Sequence, residues 1–198
     1  MSTRCPCCSP PPLRAPIDRA RRNPYHFPVG MELEIYPAEI LRVRASLVPD
    51  PAGVAPFASA MLALMRSQGG IGLAAPQAGI AERYFVLGLP RDRDRVFVNP
   101  QIVVRSKRQI RSEESCLSLP GITVEVDRSA WVDVRAWDQH GEPFELRARG
   151  LLARAVQHEF DHLNGVLCID HLDQKRRQRI ADRLEAQKSY GTTTRTPS

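Results

Sequence analysis

No apolar run in the sequence approaches the ~18 to 20 residues a membrane span needs, and no apolar stretch follows Met1. Neither a spanning helix nor a secretory signal is therefore expected. Cysteine is scarce and odd in number: five in 198 residues, three of them at Cys5, Cys7 and Cys8, ahead of any segment with folding periodicity. That is no disulfide framework, and it fits a reducing compartment. Compositional bias is missing too. Hydrophobic residues make up 42% and charged residues 25%, ordinary values that exclude collagen-like, mucin-like and wholly disordered chains. The length suits one globular domain with tails. A cationic body is also lacking, although the net charge is +6. Residues 1–30 and residues 171–198 carry +4 each, whereas residues 31–170 hold 16 basic and 18 acidic side chains. A nucleic-acid-binding fold more often carries its basic stripe on the body; no DNA partner and no membrane partner is expected.

Residues 1–30, with Cys-Pro-Cys-Cys, a proline run and scattered arginine, read as a mobile extension. The cysteine cluster has no second Cys/His pair at zinc-site spacing to complete it. Phe57, Met61, Leu64 and Met65 recur at helical spacing between Pro56 and Gly69. The segment from Gly69 to Gly79 is too rich in small residues to be an ordinary element. Tyr84–Leu87, Val96–Val98 and Ile102–Val104 read as short strands. Ile122–Val126 and Val132–Ala136 alternate strictly, as half-buried antiparallel strands do. Asp138–Gly141 is a turn leading to Phe144–Leu146, and Leu151 to Asn164 is a helix stopped by Gly165. A last helix runs from Asp173, as N-cap, to about Gln187, with Ile180 and Leu184 as a thin apolar stripe. Strands in one block with helices at its ends indicate an α+β fold.

His158-Glu159-Phe160-Asp161-His162 is an HExxH pattern inside the expected helix. A spacing of i, i+4 stacks both imidazoles on one face, where they converge on a single metal. Leu151 and Ala155 share that face, which suggests that it looks into the protein. Glu159, one step round, reaches a metal-held water without ligating the ion. The bland alternative is two exposed histidines on an amphipathic helix. A catalytic site of this kind normally takes three protein ligands and leaves one position open. Downstream the third-ligand choices are His171, Asp170 and Asp173; upstream it is Cys116. A lone cysteine is most often a small core residue, but this one stands among acids and turn formers, as a ligand loop would.

Gly70–Gln77 (GIGLAAPQ), Glu114–Ser118 (ESCLS) and Gln157–Gly165 (QHEFDHLNG) resemble, in order and interval, the three signature motifs of the peptide deformylases. The similarity extends from about Pro37 to Ile169. Together these motifs are far more specific than HExxH alone. The resemblance implies antiparallel β-sheets packed around a central HExxH helix, with N-terminal and C-terminal helices. It implies that residues 31–172 form the catalytic domain and residues 173–198 a basic helix and tail.

By the same resemblance Cys116, His158 and His162 match the metal ligands, with a water in the fourth position. Glu159 matches the general base. Gln77 and the backbone N–H of Leu117 match the donors to the oxyanion. Gly70, Ile71 and Gly72 match the segment that pairs with the substrate as an added strand. The implied reaction is hydrolysis of the N-terminal formyl group from formylmethionyl nascent chains, releasing formate. The implied cofactor is one divalent ion per chain, iron(II) in cells, while zinc, nickel and cobalt also suit the donors. The expected location is the cytoplasm, or an organelle if the arginine-rich N-terminus is a transit peptide.

Asp161 has two readings, a hydrogen bond to the outer nitrogen of a ligand histidine or to an arginine such as Arg154, and a solvated helix charge. Ser115 stands where the family motif has glycine, through either a special backbone angle or a lack of room. Two other functions compete. One is a general HExxH metallopeptidase. The other is a non-catalytic relative whose basic C-terminal helix docks on ribosomal RNA.

Overall fold

The structure is a computed structural model that describes residues 31–191, with side chains in the last helix described to residue 186. The expectations placed on residues 1–30, the cysteine cluster among them, and on the final seven residues lie outside the described residues.

Strict alternation becomes paired strands. In β5 (Thr123–Ser129) Val124 and Val126 are buried while Thr123, Glu125 and Asp127 face solvent, and in β6 (Trp131–Trp137) Val132, Val134 and Ala136 are buried. β5 pairs antiparallel with β4 (Gln109–Ser115) as a separate two-stranded ribbon. β6 joins a five-stranded antiparallel sheet in the order β1-β2-β3-β6-β7, with β1 (Gly72–Ala74), β2 (Tyr84–Leu87), β3 (Arg95–Arg105) and β7 (Pro143–Arg149). The Asp138 carboxylate accepts from the backbone N–H of His140 (2.8 Å) and of Glu142 (3.0 Å), closing the turn between β6 and β7.

The runs at 96–98 and 102–104 are one strand, contrary to the sequence expectation of two. The chain passes Pro100 through a register shift, with Asn99 at φ 50°. The Asn99 amide binds both the N–H and the carbonyl of Val48, each at 2.9 Å, which fixes the irregular backbone.

β2 is buried on both faces because a helix covers each. Phe85 and Leu87 pack with Ala153, Val156 and Leu163 of α2 (Gly150–His162) and the segment after it. Tyr84 and Val86 pack with Phe57, Met61 and Met65 of α1 (Ala55–Ser67). A third cluster joins Cys116, Leu119, Val124 and Val126 to Cys168, Ile169 and Leu184. Leu184 belongs to α3 (Gln174–Gly191), whose start is capped by Asp173 accepting from the Arg176 N–H at 2.9 Å. The antiparallel sheets and three helices give the α+β fold. Leu151 departs from expectation: it is 38% exposed at the first turn of α2, and only Ala155 of the pair faces inward.

Candidate metal centre

Two elements carry the site. α2 presents His158 and His162 one turn apart, their ring centroids 5.0 Å apart and nearly perpendicular. β4 ends at Ser115, and the chain then tightens into a turn in which Leu119 N–H donates to the Cys116 carbonyl at 3.0 Å. That turn delivers Cys116 Sγ to 3.3 Å from His162 Nε2, which itself lies 3.3 Å from His158 Nε2. Around a tetrahedral ion with bonds of about 2.0–2.1 Å to nitrogen and 2.3 Å to sulfur, neighbouring donors stand about 3.3–3.6 Å apart. The thiol and the two imidazoles fit that geometry. They form the one group of potential ligands within bonding reach among the described residues. The downstream alternatives fall away: His171 pairs with Asp161 at 2.7 Å, Asp170 with Arg42, and Asp173 caps α3.

The charge environment suits a cation. Burial alone would push the Cys116 thiol up, but the two imidazoles outweigh it and bring its pKa down to about 5. Burial likewise opposes the His158 imidazolium, yet bonds to Cys116 and Glu114 lift its pKa well above the ordinary value. The thiol is thus readily ionised while the His158 imidazole holds its proton, and a donor set of this kind binds a divalent ion by releasing that proton.

Behind the three candidate ligands lies a network that sequence reasoning missed. Glu114 accepts from His158 Nδ1 at 2.9 Å, the orientation a ligand histidine needs. Arg128 grips Glu114 with two bonds of 2.8 and 2.9 Å and reaches Asp161 at 2.5 Å. Burial alone would raise the Glu114 pKa, but Arg128 and His158 bring it down to about 2. Asp161 thus contacts Arg128 and His171, neither a ligand histidine nor Arg154. The signal for Arg128 was in the sequence: it follows Val124 and Val126 in the inward phase of β5, and a cation at an inward position demands a buried partner.

Glu159 is 3% exposed, its Oε2 has no hydrogen-bond partner among the described residues, and burial raises its pKa to about 7 despite the nearby imidazoles. The backbone of Gly72 packs directly against it: a Cβ there would stand 2.9 Å from both Glu159 Cδ and Leu87 Cδ2. Gly70 is less confined: a Cβ there would meet the tip of the Leu117 side chain, with Cδ1 at 2.7 Å. Gln77 is buried, with Oε1 accepting from Ala74 N–H at 2.9 Å. That bond turns Nε2 toward Ser118 Oγ (3.1 Å) and Cys116 Sγ (3.5 Å). The backbone N–H of Leu117 donates to no acceptor among the described residues. Gly70, Ile71 and Gly72 line a groove of about 550 Å³ that also takes in Gln77, Cys116, Leu117 and His158. β1 is an edge strand beside it, although Gly70 N–H is spent on Met65 and the Ile71 carbonyl on Gly88. Ser115 does not have a positive φ; its hydroxyl meets Thr123 Oγ1 at 2.9 Å on the groove wall. A special backbone angle is therefore no reason for glycine at this position.

A sequence model of the polypeptide deformylase family matches residues 31–178. The peptide deformylase of Thermodesulfovibrio yellowstonii is 39% identical over 163 residues, covering 80% of this chain and 98% of its own. That of Tolumonas auensis is 46% identical over 127 residues, 63% of this chain and 75% of its own. A crystal structure of a peptide deformylase from Legionella pneumophila superposes with a TM-score of 0.76 at 36% identity, over 84% of this chain and 98% of that one.

Proposed function

The chain belongs to the polypeptide deformylase family, and on that premise we propose that it hydrolyses the N-terminal formyl group of formylmethionyl nascent chains with Cys116, His158 and His162 as metal ligands. The observation that carries this reading is the meeting of one thiol and two imidazoles beside a buried carboxyl whose Oε2 has no hydrogen-bond partner among the described residues. In this reading residues 31–172 form the catalytic domain. Cys116 Sγ and the imidazoles of His158 and His162 would hold a divalent ion, which would supply Lewis acidity and ease the ionisation of water near neutral pH. The thiolate and imidazole donors suit iron(II), the ion we assign in cells, as well as zinc, nickel or cobalt.

Glu159 takes the proton of the attacking water and later returns it, a role suited to a carboxyl whose pKa is raised by burial. The formyl carbon gains a bond to the water oxygen, and its carbonyl electrons move onto oxygen. Gln77 Nε2 and the free N–H of Leu117 then donate to that oxyanion. Glu159 passes its proton to the nitrogen as the C–N bond breaks, leaving formate and a free amino terminus. The glycines at 70 and 72 let the substrate backbone lie along β1 within reach of Glu159.

Formate release from a formyl-Met tripeptide, assayed beside casein, tests the reading. Formate from the tripeptide and intact casein are expected, and Glu159→Gln should lose turnover by about 10²- to 10⁴-fold while keeping its metal. Casein cleavage without formate would make the protein a general metallopeptidase.

We assign the protein to the cytoplasm, with ribosome-bound chains as substrate. On α3, Lys175, Arg179 and Arg183 are exposed along one stripe while Leu184 is buried in the third cluster. Truncating α3 would open that cluster. Charge reversal of the stripe is the cleaner probe, and it should weaken ribosome binding with a reduced salt dependence while short peptides are still deformylated.

A further inference from the structure

One cation on the groove has no partner among the described residues. Arg154 lies one helical turn before His158 on α2 and lines the wall beside Ala155 and His158. It is half-buried, and its guanidinium makes no ion pair or hydrogen bond among the described residues. This is unusual for the chain, whose other half-buried arginines are engaged: Arg83 with Leu163 and Asn164, Arg95 with Asp92, Arg135 with Glu145. The acids of the groove do not satisfy Arg154. Glu114 is committed to Arg128 and His158, and Glu113 is exposed and makes no ion pair with Arg154. Arg154 also borders a side pocket of about 150 Å³, lined by Ile110, Ser112, Leu151 and Arg128, which offers it no carboxylate.

We propose that Arg154 is a specificity-determining residue that receives a carboxylate side chain from the second or third residue of the formylated substrate. This rests on the deformylase reading of the groove. Four helical residues carry Arg154 Cα about 6 Å from His158 Cα. An extended peptide leaving the metal centre advances about 3.3 Å per residue, so its second and third residues pass within the arm of the guanidinium. A planar fork with its donors free, in a groove that excludes part of the solvent, selects a carboxylate over a neutral or cationic side chain. The contact is remote from the formyl group and is the same before and during reaction, so it acts on KM rather than kcat.

The test uses C-terminally amidated peptides, which carry no other carboxylate: formyl-Met-Ala-Ser, formyl-Met-Glu-Ser, formyl-Met-Ala-Glu and formyl-Met-Lys-Ser, followed by formate release at low and high salt. An acidic peptide should exceed the neutral one about five- to tenfold in kcat/KM at low salt, mostly through KM, and the advantage should shrink as salt screens it. Arg154→Leu should bring the acidic-to-neutral ratio to about one, Arg154→Lys should keep part of it, and Glu113→Gln should leave or raise it. Equal kcat/KM for acidic and neutral peptides in the unmodified enzyme, or a ratio that survives Arg154→Leu, overturns the proposal. Formate from none of the peptides would overturn the activity itself, and this assignment with it.

Discussion

Replacing Arg128 with methionine keeps the aliphatic bulk and removes the charge that holds the network behind the candidate ligands. Glu114, 5% exposed, would lose two charge-assisted bonds, and Asp161 would lose one. Each such bond contributes about 1.5–3 kcal/mol, but protonation of Glu114 and its surviving bond to His158 offset part of the loss. Removing one partner of a buried pair typically costs about 3–5 kcal/mol. The depression of the Glu114 pKa from 4.5 to about 2 gives a similar figure, about 3 kcal/mol at 1.36 per unit. The sign is that of a depressed carboxyl: the stability is present above the unfolded pKa, near 4.5, and is lost as pH falls through about 2. Denaturant unfolding of the metal-free proteins, which removes ligand linkage, should show Arg128→Met less stable by about 3–5 kcal/mol at neutral pH. Its stability should also fall less steeply than that of the unmodified protein between pH 4.5 and 2. A loss below about 1 kcal/mol, or an unchanged acid limb, would refute the claim that Arg128 compensates Glu114.

Three further outcomes are expected. Burial raises the Glu159 pKa and a bound cation would lower it again, so in the proposed role, which needs the carboxylate, kcat/KM should fall on the acid side of neutrality; a flat profile from pH 8 to 4 would contradict that role. Gly72→Ala would place a methyl 2.9 Å from Glu159 Cδ. It should cut turnover by at least about tenfold and destabilise by about 1–3 kcal/mol through overpacking; wild-type formate release would show that the approach is not needed. Gln77→Leu should lower kcat by about 10²- to 10³-fold with little change in KM, measured on a short formylated peptide.

What could be read from the residues differs by element. β5 and β6 announced themselves because one face of each is buried and the other wet, which writes a period of two into the sequence. The HExxH helix did so through spacing. β1 was invisible because Gly-Leu-Ala has no alternation: its small residues are set by the closeness of Glu159 and Leu87, a tertiary demand. β4 is polar on nearly every residue and exists by pairing with β5, so no local pattern marks it. β3 looked like two strands because Asn-Pro normally ends one, and only the distant backbone of Val48, bound by Asn99, carries it through. Asp161 was weighed against Arg154, four residues from His158 on the same helix, whereas its partners come from β5 and the turn before α3.

The ligand assignment is tested most directly by X-ray absorption on zinc-loaded protein. One sulfur neighbour at about 2.3 Å and two imidazole nitrogens at about 2.0–2.1 Å are expected, with the sulfur lost in Cys116→Ala. A shell of nitrogen and oxygen alone in the unmodified protein would show that the thiol and the two imidazoles do not share an ion.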